Sequence, residues 1–252
     1  MTEKPRSGRR LITRIVASIA VVVVLAAVAF GVYANMVMLG DRDQALKAWR
    51  TAGVSIVNTD HSIIMQPTAG ATGVGLVFIP GAKVEAGAYL YKLSGLVASG
   101  ATVVITKPTL NLAFFDSRPL STFEADAPGV TRWFVGGHSL GGVRACQLAD
   151  SPEIAGLILF GSYCANDLSS ADLDVLSVGA SADGLSTPAK IAGAKGNLPG
   201  AATFVEIDGA NHASFGDYGA QPGDGTATIP SADVLAEVTA AVAPFLGLPP
   251  AP

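Results

Sequence analysis

Hydrophobic residues follow two different patterns along this chain. From residue 15 to residue 40 no ionisable side chain except Tyr33 interrupts an apolar run, and about 26 residues at 1.5 Å each make roughly 39 Å of helix, more than a bilayer core requires. Further on, short apolar runs alternate with segments of helical periodicity. Strands are predicted at 54–57, 62–65, 74–79, 102–106, 132–136, 156–160, 174–178 and 203–207, and helices at 86–98, 140–149, 188–194 and 232–245. Thr187 and Ser231 are the predicted caps of the last two helices.

Continuous apolar strands separated by helices are typical of a mainly parallel sheet that is covered on both faces. We therefore expect an α/β fold with an eight-stranded sheet, preceded by one transmembrane helix. The predicted organisation is a basic cytoplasmic segment at 1–14, an anchor at 15–40, a linker helix at 41–53 and the α/β domain at 54–248. The Gly/Pro-rich stretch at 216–225 is predicted to be a long loop.

The charges on either side of the apolar run predict its orientation. Five basic residues precede the run against one acid, whereas two acids and one arginine follow it, so the positive-inside rule places the N-terminus in the cytoplasm and the rest of the chain outside. These residues are Lys4, Arg6, Arg9, Arg10 and Arg14 with Glu3 before the run, and Asp41, Arg42 and Asp43 after it. A cleaved signal peptide ending near Ala29 is the competing interpretation, but the run is too long for an ordinary signal sequence. The net charge of -4 provides no basic surface for nucleic acid.

The segment Gly137-His138-Ser139-Leu140-Gly141 follows an apolar strand and precedes a predicted helix. In this context G-x-S-x-G predicts a nucleophile elbow, a tight strand-to-helix turn that needs glycines beside the serine. Ser139 is therefore the candidate nucleophile. A serine hydroxyl needs a base within hydrogen-bond reach and a carboxylate that orients the base.

His212 is the candidate base, because it follows the last predicted strand and lies on a loop at the carboxyl edge of the sheet. His61 is interpreted as a surface residue and His138 as a packing residue of the turn. Asp183 follows the strand before that of the histidine, which is the position expected for the acid. Asp208 and Asp217, close to His212 in sequence, are the rival acids.

Two backbone N–H groups are needed to bind the oxygen of a tetrahedral intermediate. Leu140, directly after the nucleophile, is expected to provide one of them. Ala82, in the turn Pro80-Gly81-Ala82-Lys83 after a predicted strand, is expected to provide the other.

These motifs resemble those of the α/β-hydrolase superfamily, and more narrowly those of small lidless hydrolases related to dienelactone hydrolases that occur as membrane-anchored actinobacterial proteins. The resemblance spans residues 54–245 and depends on four segments, Phe78–Lys83, Gly136–Gly142, Ser181–Gly184 and Gly209–Gly216. It implies the chain order serine, acid, histidine, which Ser139, Asp183 and His212 reproduce. Dienelactone hydrolases use a cysteine at the elbow, so their reaction is not transferred to this chain.

No long insertion follows the strand at 156–160, so an open site for a small or extended acyl substrate is expected, with no cofactor and no metal. Lys83, Lys107 and Asn111 follow strands at the same edge and are weak candidates for binding an anionic group, the alternative being simple solvation. The sequence leaves open whether Cys146 and Cys164 form a disulfide or are two buried thiols.

The predicted function is ester or related acyl hydrolysis through an acyl-enzyme on Ser139, outside the cytoplasmic membrane. Acyl transfer to a cell-envelope alcohol differs only in the group that resolves the intermediate. A catalytically silent hydrolase fold that serves as an anchored binding module is the alternative from another class of protein.

Overall fold

The computed structural model describes residues 6–249, which divide into two compact units, residues up to Met36 and residues from Val37 onward. The second unit contains the eight predicted strands: β1 Val54–Asn58, β2 Ser62–Pro67, β3 Val74–Ile79, β4 Thr102–Thr106, β5 Arg132–His138, β6 Ile154–Phe160, β7 Asp174–Ala180 and β8 Thr203–Ile207. The α-helices are α1 Arg6–Asn35, α2 Arg42–Arg50, α3 Leu90–Ala98, α4 Leu120–Glu124, α5 Leu140–Leu148, α6 Pro188–Gly193 and α7 Ser231–Leu246.

The first unit is the single helix α1. Its stretch Arg10–Asn35 is long and apolar enough to cross a membrane. The helix ends at Asn35, whereas the apolar run in the sequence extends to Gly40. Residues 36–40 are not helical, and Met38 forms a β-bridge with Val84 in the second unit. The charged residues Glu3 and Lys4 lie outside the described residues.

The predicted mainly parallel α/β sheet is confirmed. Its strand order is β1-β2-β4-β3-β5-β6-β7-β8, with β1 and β2 antiparallel to their neighbours and all other pairs parallel. The carboxyl ends of β3, β5, β6, β7 and β8 therefore lie along one edge, where active sites of such sheets are found.

The two largest of three hydrophobic clusters among the described residues lie on opposite faces of the sheet. One lies between the sheet and helices α3 and α7, around Phe78, Leu93 and Val238. The other includes Ala145 and Cys146 of α5, the helix that packs on β5 and β6. Burial on both faces explains why strand β3 is apolar along its whole length and β4 at its three central positions.

The predicted linker helix is present as α2, but it is packed into the globular unit, since Ala48 is fully buried in the first of these clusters. The compact unit that contains α2 begins at Val37. Thr187 caps α6 as predicted, its side chain accepting a hydrogen bond from Lys190 N–H. The cap of α7 differs from the prediction: Pro230 precedes the helix, and the Ser231 hydroxyl donates to Asp217 instead.

Candidate active site

The sharp turn around Ser139 has the geometry of a nucleophile elbow. Ser139 lies between β5 and α5 with φ 52° and ψ -123°, a conformation that L-residues rarely adopt. A Cβ atom at Gly137 would lie 2.5 Å from the carbonyl carbon of Gly141, and one at Gly141 would lie 2.1 Å from the carbonyl oxygen of Ile79. Both positions therefore require glycine, which is the physical reason for the G-x-S-x-G pattern.

His212 and Asp183 form a buried pair. The Nδ1 atom of His212 lies 2.8 Å from Oδ2 of Asp183, and both side chains are almost fully inaccessible. The other carboxylate oxygen, Oδ1, accepts from the N–H groups of Leu185 at 2.8 Å and Ser186 at 2.7 Å. These bonds leave Asp183 one direction in which to contact the imidazole, so it orients the ring.

The rival acids are engaged elsewhere. Asp208 is exposed and accepts from the Ser181 hydroxyl at 3.0 Å. Asp217 pairs with the buried ammonium group of Lys92 at 2.5 Å. Burial lowers the pKa of Lys92, while the neighbouring carboxylate of Asp217 opposes that shift. Of the three acids considered from the sequence, Asp183 is the one that is bonded to His212.

Ser139 and the His212–Asp183 pair both lie against the loop after β6. Ser139 N–H donates to Phe160 C=O at 3.0 Å, and a Cβ atom at the next residue, Gly161, would lie 3.0 Å from Asp183 Oδ2 and 3.2 Å from His212 Nδ1. The ring of His138, adjacent to the nucleophile in sequence, lies 4.4 Å from the ring of His212. The three predicted residues are thus gathered at one edge of the sheet.

The second ring nitrogen of His212, Nε2, can accept a further hydrogen bond. Nε2 is buried, and within residues 6–249 it has no hydrogen-bond partner. A buried polar atom without a partner is costly. An imidazole whose Nδ1 is held by a carboxylate presents Nε2 as an acceptor, the state that a general base requires.

The N–H groups predicted to bind the oxyanion are available. Among the described residues, neither Ala82 N–H nor Leu140 N–H has a hydrogen-bond acceptor. Leu140 is the first residue of α5, where backbone N–H groups lack partners within the helix and the helix dipole favours negative charge. Both residues are half-buried at the carboxyl edge.

The three residues considered for anion binding have different surroundings. Lys107 donates to Asn58 Oδ1 at 2.6 Å and also to the Thr59 carbonyl, so its ammonium group already serves the β1–β2 turn. Asn111 shares with Lys107 the wall of a cleft of about 280 Å³. Lys83 has a positive φ of 59°, and its N–H donates to Asn111 C=O at 2.8 Å. The predicted role in substrate binding is thus not available to Lys107 without the loss of these bonds.

Two buried side chains, those of Tyr89 and His138, lie next to the candidate site and within hydrogen-bonding distance of each other. Tyr89 OH accepts from Gly81 N–H at 2.9 Å and lies 2.9 Å from His138 Nδ1. Burial raises the pKa of the Tyr89 hydroxyl, against the hydrogen bond from Gly81. Burial also lowers the pKa of His138 well below its usual value, and the neighbouring His212 adds to this effect. His138 therefore serves as a neutral packing residue, in agreement with its sequence interpretation.

Asp224 is a residue of the site that sequence reasoning missed. Its carboxylate accepts from four backbone N–H groups, those of Gly184 at 3.1 Å, His212 at 3.1 Å, Ala213 at 2.9 Å and Gly225 at 2.8 Å. It therefore ties the acid loop to the histidine loop. An aspartate flanked by two glycines in the stretch 216–225 was the one available signal, and it does not distinguish this role from an ordinary turn.

The remaining sequence questions concern cysteine and metal ligands. Cys146 of α5 and Cys164 after β6 form a disulfide, with Cα atoms 5.5 Å apart. It fastens the helix that begins at Leu140 to the loop on which Gly161 lies. His61 is half-buried, and its Nε2 lies 3.1 Å from Asp126. Within residues 6–249 no group of three or more His, Cys, Asp or Glu side chains is placed to hold a metal ion.

A strained serine after a parallel strand, a buried histidine–carboxylate pair and a short β3 loop together define the α/β-hydrolase class. The model of the Alpha/beta hydrolase family matches residues 75–236, and the chain belongs to that family. The esterase domain of a Rhodothermus marinus protein is a structural neighbour, with a TM-score of 0.58 and 15% identity, covering 77% of this chain and 99% of that one. No curated protein sequence matches the chain significantly.

Proposed function

We propose that this protein is a serine hydrolase that cleaves ester or related acyl bonds through an acyl-enzyme on Ser139. The single observation on which the proposal depends is the 2.8 Å contact between His212 Nδ1 and Asp183 Oδ2 beside the strained Ser139. Membership of the hydrolase family and the likeness to an esterase domain support ester substrates.

In the proposed reaction the Oγ of Ser139 attacks the carbonyl carbon of the ester while Nε2 of His212 takes its proton. Asp183 holds the tautomer that makes Nε2 the acceptor and stabilises the imidazolium that forms. The N–H groups of Ala82 and Leu140 bind the oxyanion. Collapse of the intermediate breaks the bond to the alcohol, which leaves with the proton from His212, and water then hydrolyses the acyl-enzyme by the same route.

In this scheme the hydrogen bond between Ser139 Oγ and His212 Nε2 forms when the substrate binds. Hydrogen bonds of catalytic residues are often long in the free enzyme and tighten when the substrate is bound. The unpartnered, buried Nε2 of His212 is consistent with such a resting state.

Labelling by a fluorophosphonate probe tests the proposal. The probe should label the full-length protein, Ser139→Ala should abolish the label, and Ser169→Ala, which changes an exposed serine, should retain it. Absence of labelling in the folded wild-type protein would favour the silent binding module. Persistent labelling of Ser139→Ala would assign the nucleophile elsewhere. A panel of esters of varied chain length and charge then defines the acyl group.

We further propose that α1 is an uncleaved anchor with its N-terminus in the cytoplasm, so that the globular unit lies outside the membrane. The length of the apolar stretch Arg10–Asn35 and the basic residues that precede it support this orientation. Protease added to intact spheroplasts should then digest the globular unit, and protection from the protease would reverse the orientation. The narrower kinship with dienelactone-hydrolase-related proteins stays a prediction.

A further inference from the structure

The four residues 37–40, which precede helix α2, run alongside the loop that follows β3. Met38 N–H donates to Lys83 C=O at 2.7 Å, and Glu85 N–H donates to Met38 C=O at 3.0 Å, which gives a parallel bridge between Met38 and Val84. Gly40 N–H adds a bond of 2.9 Å to Oε2 of Glu85. We name residues 37–40 the strap.

The loop that the strap holds contains the Ala82 N–H. Val84 N–H donates to Gly81 C=O at 3.2 Å, which closes a turn of four residues. The peptide unit between Gly81 and Ala82 is planar and trans, so its C=O and N–H point in opposite directions. The bond that fixes the Gly81 carbonyl therefore also fixes the direction of Ala82 N–H.

The turn contains a residue in a strained backbone conformation. Lys83, its third residue, has φ 59°, which costs roughly 1–2 kcal/mol for a residue with a Cβ atom. The backbone of Lys83 is held on two sides, by Asn111, which accepts from its N–H, and by Met38, which donates to its C=O. The strap thus supplies one of the hydrogen bonds that support a strained turn, and it also bonds to Glu85 just beyond Val84.

We propose that the strap positions the oxyanion hole, with Met38 and Gly40 as its positioning residues. Met38 acts through its backbone bonds to Lys83 and Glu85, and Gly40 through the close approach that lets the strap reach them. The inference rests on the proposed function, because it assigns a purpose to the Ala82 N–H. The inference gives the strap, which precedes the first strand of the sheet, a role in supporting the active site.

Gly40→Ala in the full chain is the principal test. A Cβ atom at Gly40 would lie 2.9 Å from Ala88 N and 3.0 Å from Ala88 Cα, both backbone atoms, so the strap must shift away. The matched control is Gly87→Ala, at which the nearest atom to the new Cβ is 3.7 Å away in the Glu85 side chain. Steady-state hydrolysis of a soluble short-chain ester and thermal unfolding are measured for both.

We expect Gly40→Ala to lower kcat roughly tenfold or more, approaching the roughly 10²–10³-fold loss seen when an oxyanion donor is removed. KM should stay within about twofold and the pH profile should keep its shape, because His212 and Asp183 are not touched. A merely structural role would instead lower the unfolding temperature and leave kcat of the folded fraction unchanged. Gly87→Ala should retain wild-type kcat.

Met38→Pro is the second variant, since proline removes the N–H that bonds to Lys83 C=O. A similar loss of kcat with unchanged KM in both variants supports the inference. If both variants fold and have the same kcat as Gly87→Ala, the inference is overturned. In that case an inactive Ser139→Ala in the same assay still supports the proposed function. Wild-type activity in Ser139→Ala removes the proposed function and the inference together. Should Met38→Pro fail to fold, the Gly40→Ala result decides.

Discussion

Gly161 gives the sharpest test of the geometry at the site. It follows β6 with φ 47°, and a Cβ atom there would lie 3.0 Å from Asp183 Oδ2, 3.2 Å from His212 Nδ1 and 3.1 Å from Phe215 Cε2. The first two atoms are the two ends of the 2.8 Å bond between base and acid. The methyl group of Gly161→Ala therefore presses on both partners, and they must yield by a few tenths of an ångström, since carbon contacts are optimal near ~3.5 Å.

The cost has two parts. An alanine with positive φ lowers the stability of the protein by roughly 1–2 kcal/mol. At Gly161, crowding of the new methyl group adds about 1–3 kcal/mol. Gly53→Ala is the matched control, because Gly53 has φ 80° and nothing within 4 Å of the new Cβ. Since a misplacement of about 1 Å can cost roughly 10²-fold in rate, we expect kcat/KM of Gly161→Ala to fall roughly tenfold. Gly53→Ala should lose stability only.

The assay is hydrolysis of a short aryl ester at a temperature at which both variants are folded, with urea unfolding measured in parallel. The reasoning fails if the folded Gly161→Ala protein has the kcat/KM of Gly53→Ala. Such a result would mean that the pair tolerates the methyl group, and that the tight packing around His212 does not govern its chemistry.

Other predictions concern the carboxylates, the buried histidine and the disulfide. Asp183→Asn should lower kcat by about 10⁴-fold with unfolding little changed, because the amide favours the wrong tautomer of His212; near-normal turnover would contradict the assignment. Asp224→Ala, which frees four N–H groups, should lower stability by about 1–3 kcal/mol and kcat by roughly tenfold, and an unchanged urea midpoint would count against its tying role. Because burial lowers the pKa of His138 in the folded protein, the unfolded chain binds this proton more readily below about pH 6.5, and stability should therefore fall as the pH is lowered from 7 to 5.5. His138→Gln should remove that part of the slope. Replacing Cys146 and Cys164 by serine removes the cross-link that constrains the unfolded chain, and should lower the free energy of unfolding by about 3 kcal/mol in chemical denaturation. Activity at a low temperature, at which the variant stays folded, should be retained.

The strands and the elbow were predictable because their signals are local. Strands such as β3 are buried on both faces, so nearly all of their residues must be apolar, and they are visible in the sequence as unbroken hydrophobic segments. The crowding at Gly137 and Gly141 arises within a few residues of Ser139 and therefore leaves a short motif. The chain order of serine, acid and histidine follows from the strand order of the fold.

Other features depend on contacts between distant segments, and no local pattern encodes them. The end of α1 at Asn35 is an example, since the residues after it remain apolar yet Met38 pairs with Val84. Likewise, the Lys107 ammonium group is bonded to Asn58, although its place after β4 fits anion binding equally well. The four N–H groups that meet at Asp224 come from three separate stretches of the chain.

The amino-acid sequence by itself determined the class of fold, the nucleophile at Ser139 as a candidate, and the choice of His212 as its base, because periodicity, glycine crowding and the scarcity of histidine are properties of the chain alone. Tertiary structure alone decided that Asp183 rather than Asp208 or Asp217 contacts the imidazole, and that Cys146 and Cys164 are bonded. The physical reason is that a hydrogen bond and a disulfide depend on distance and direction in space, and both are set only once the sheet has assembled.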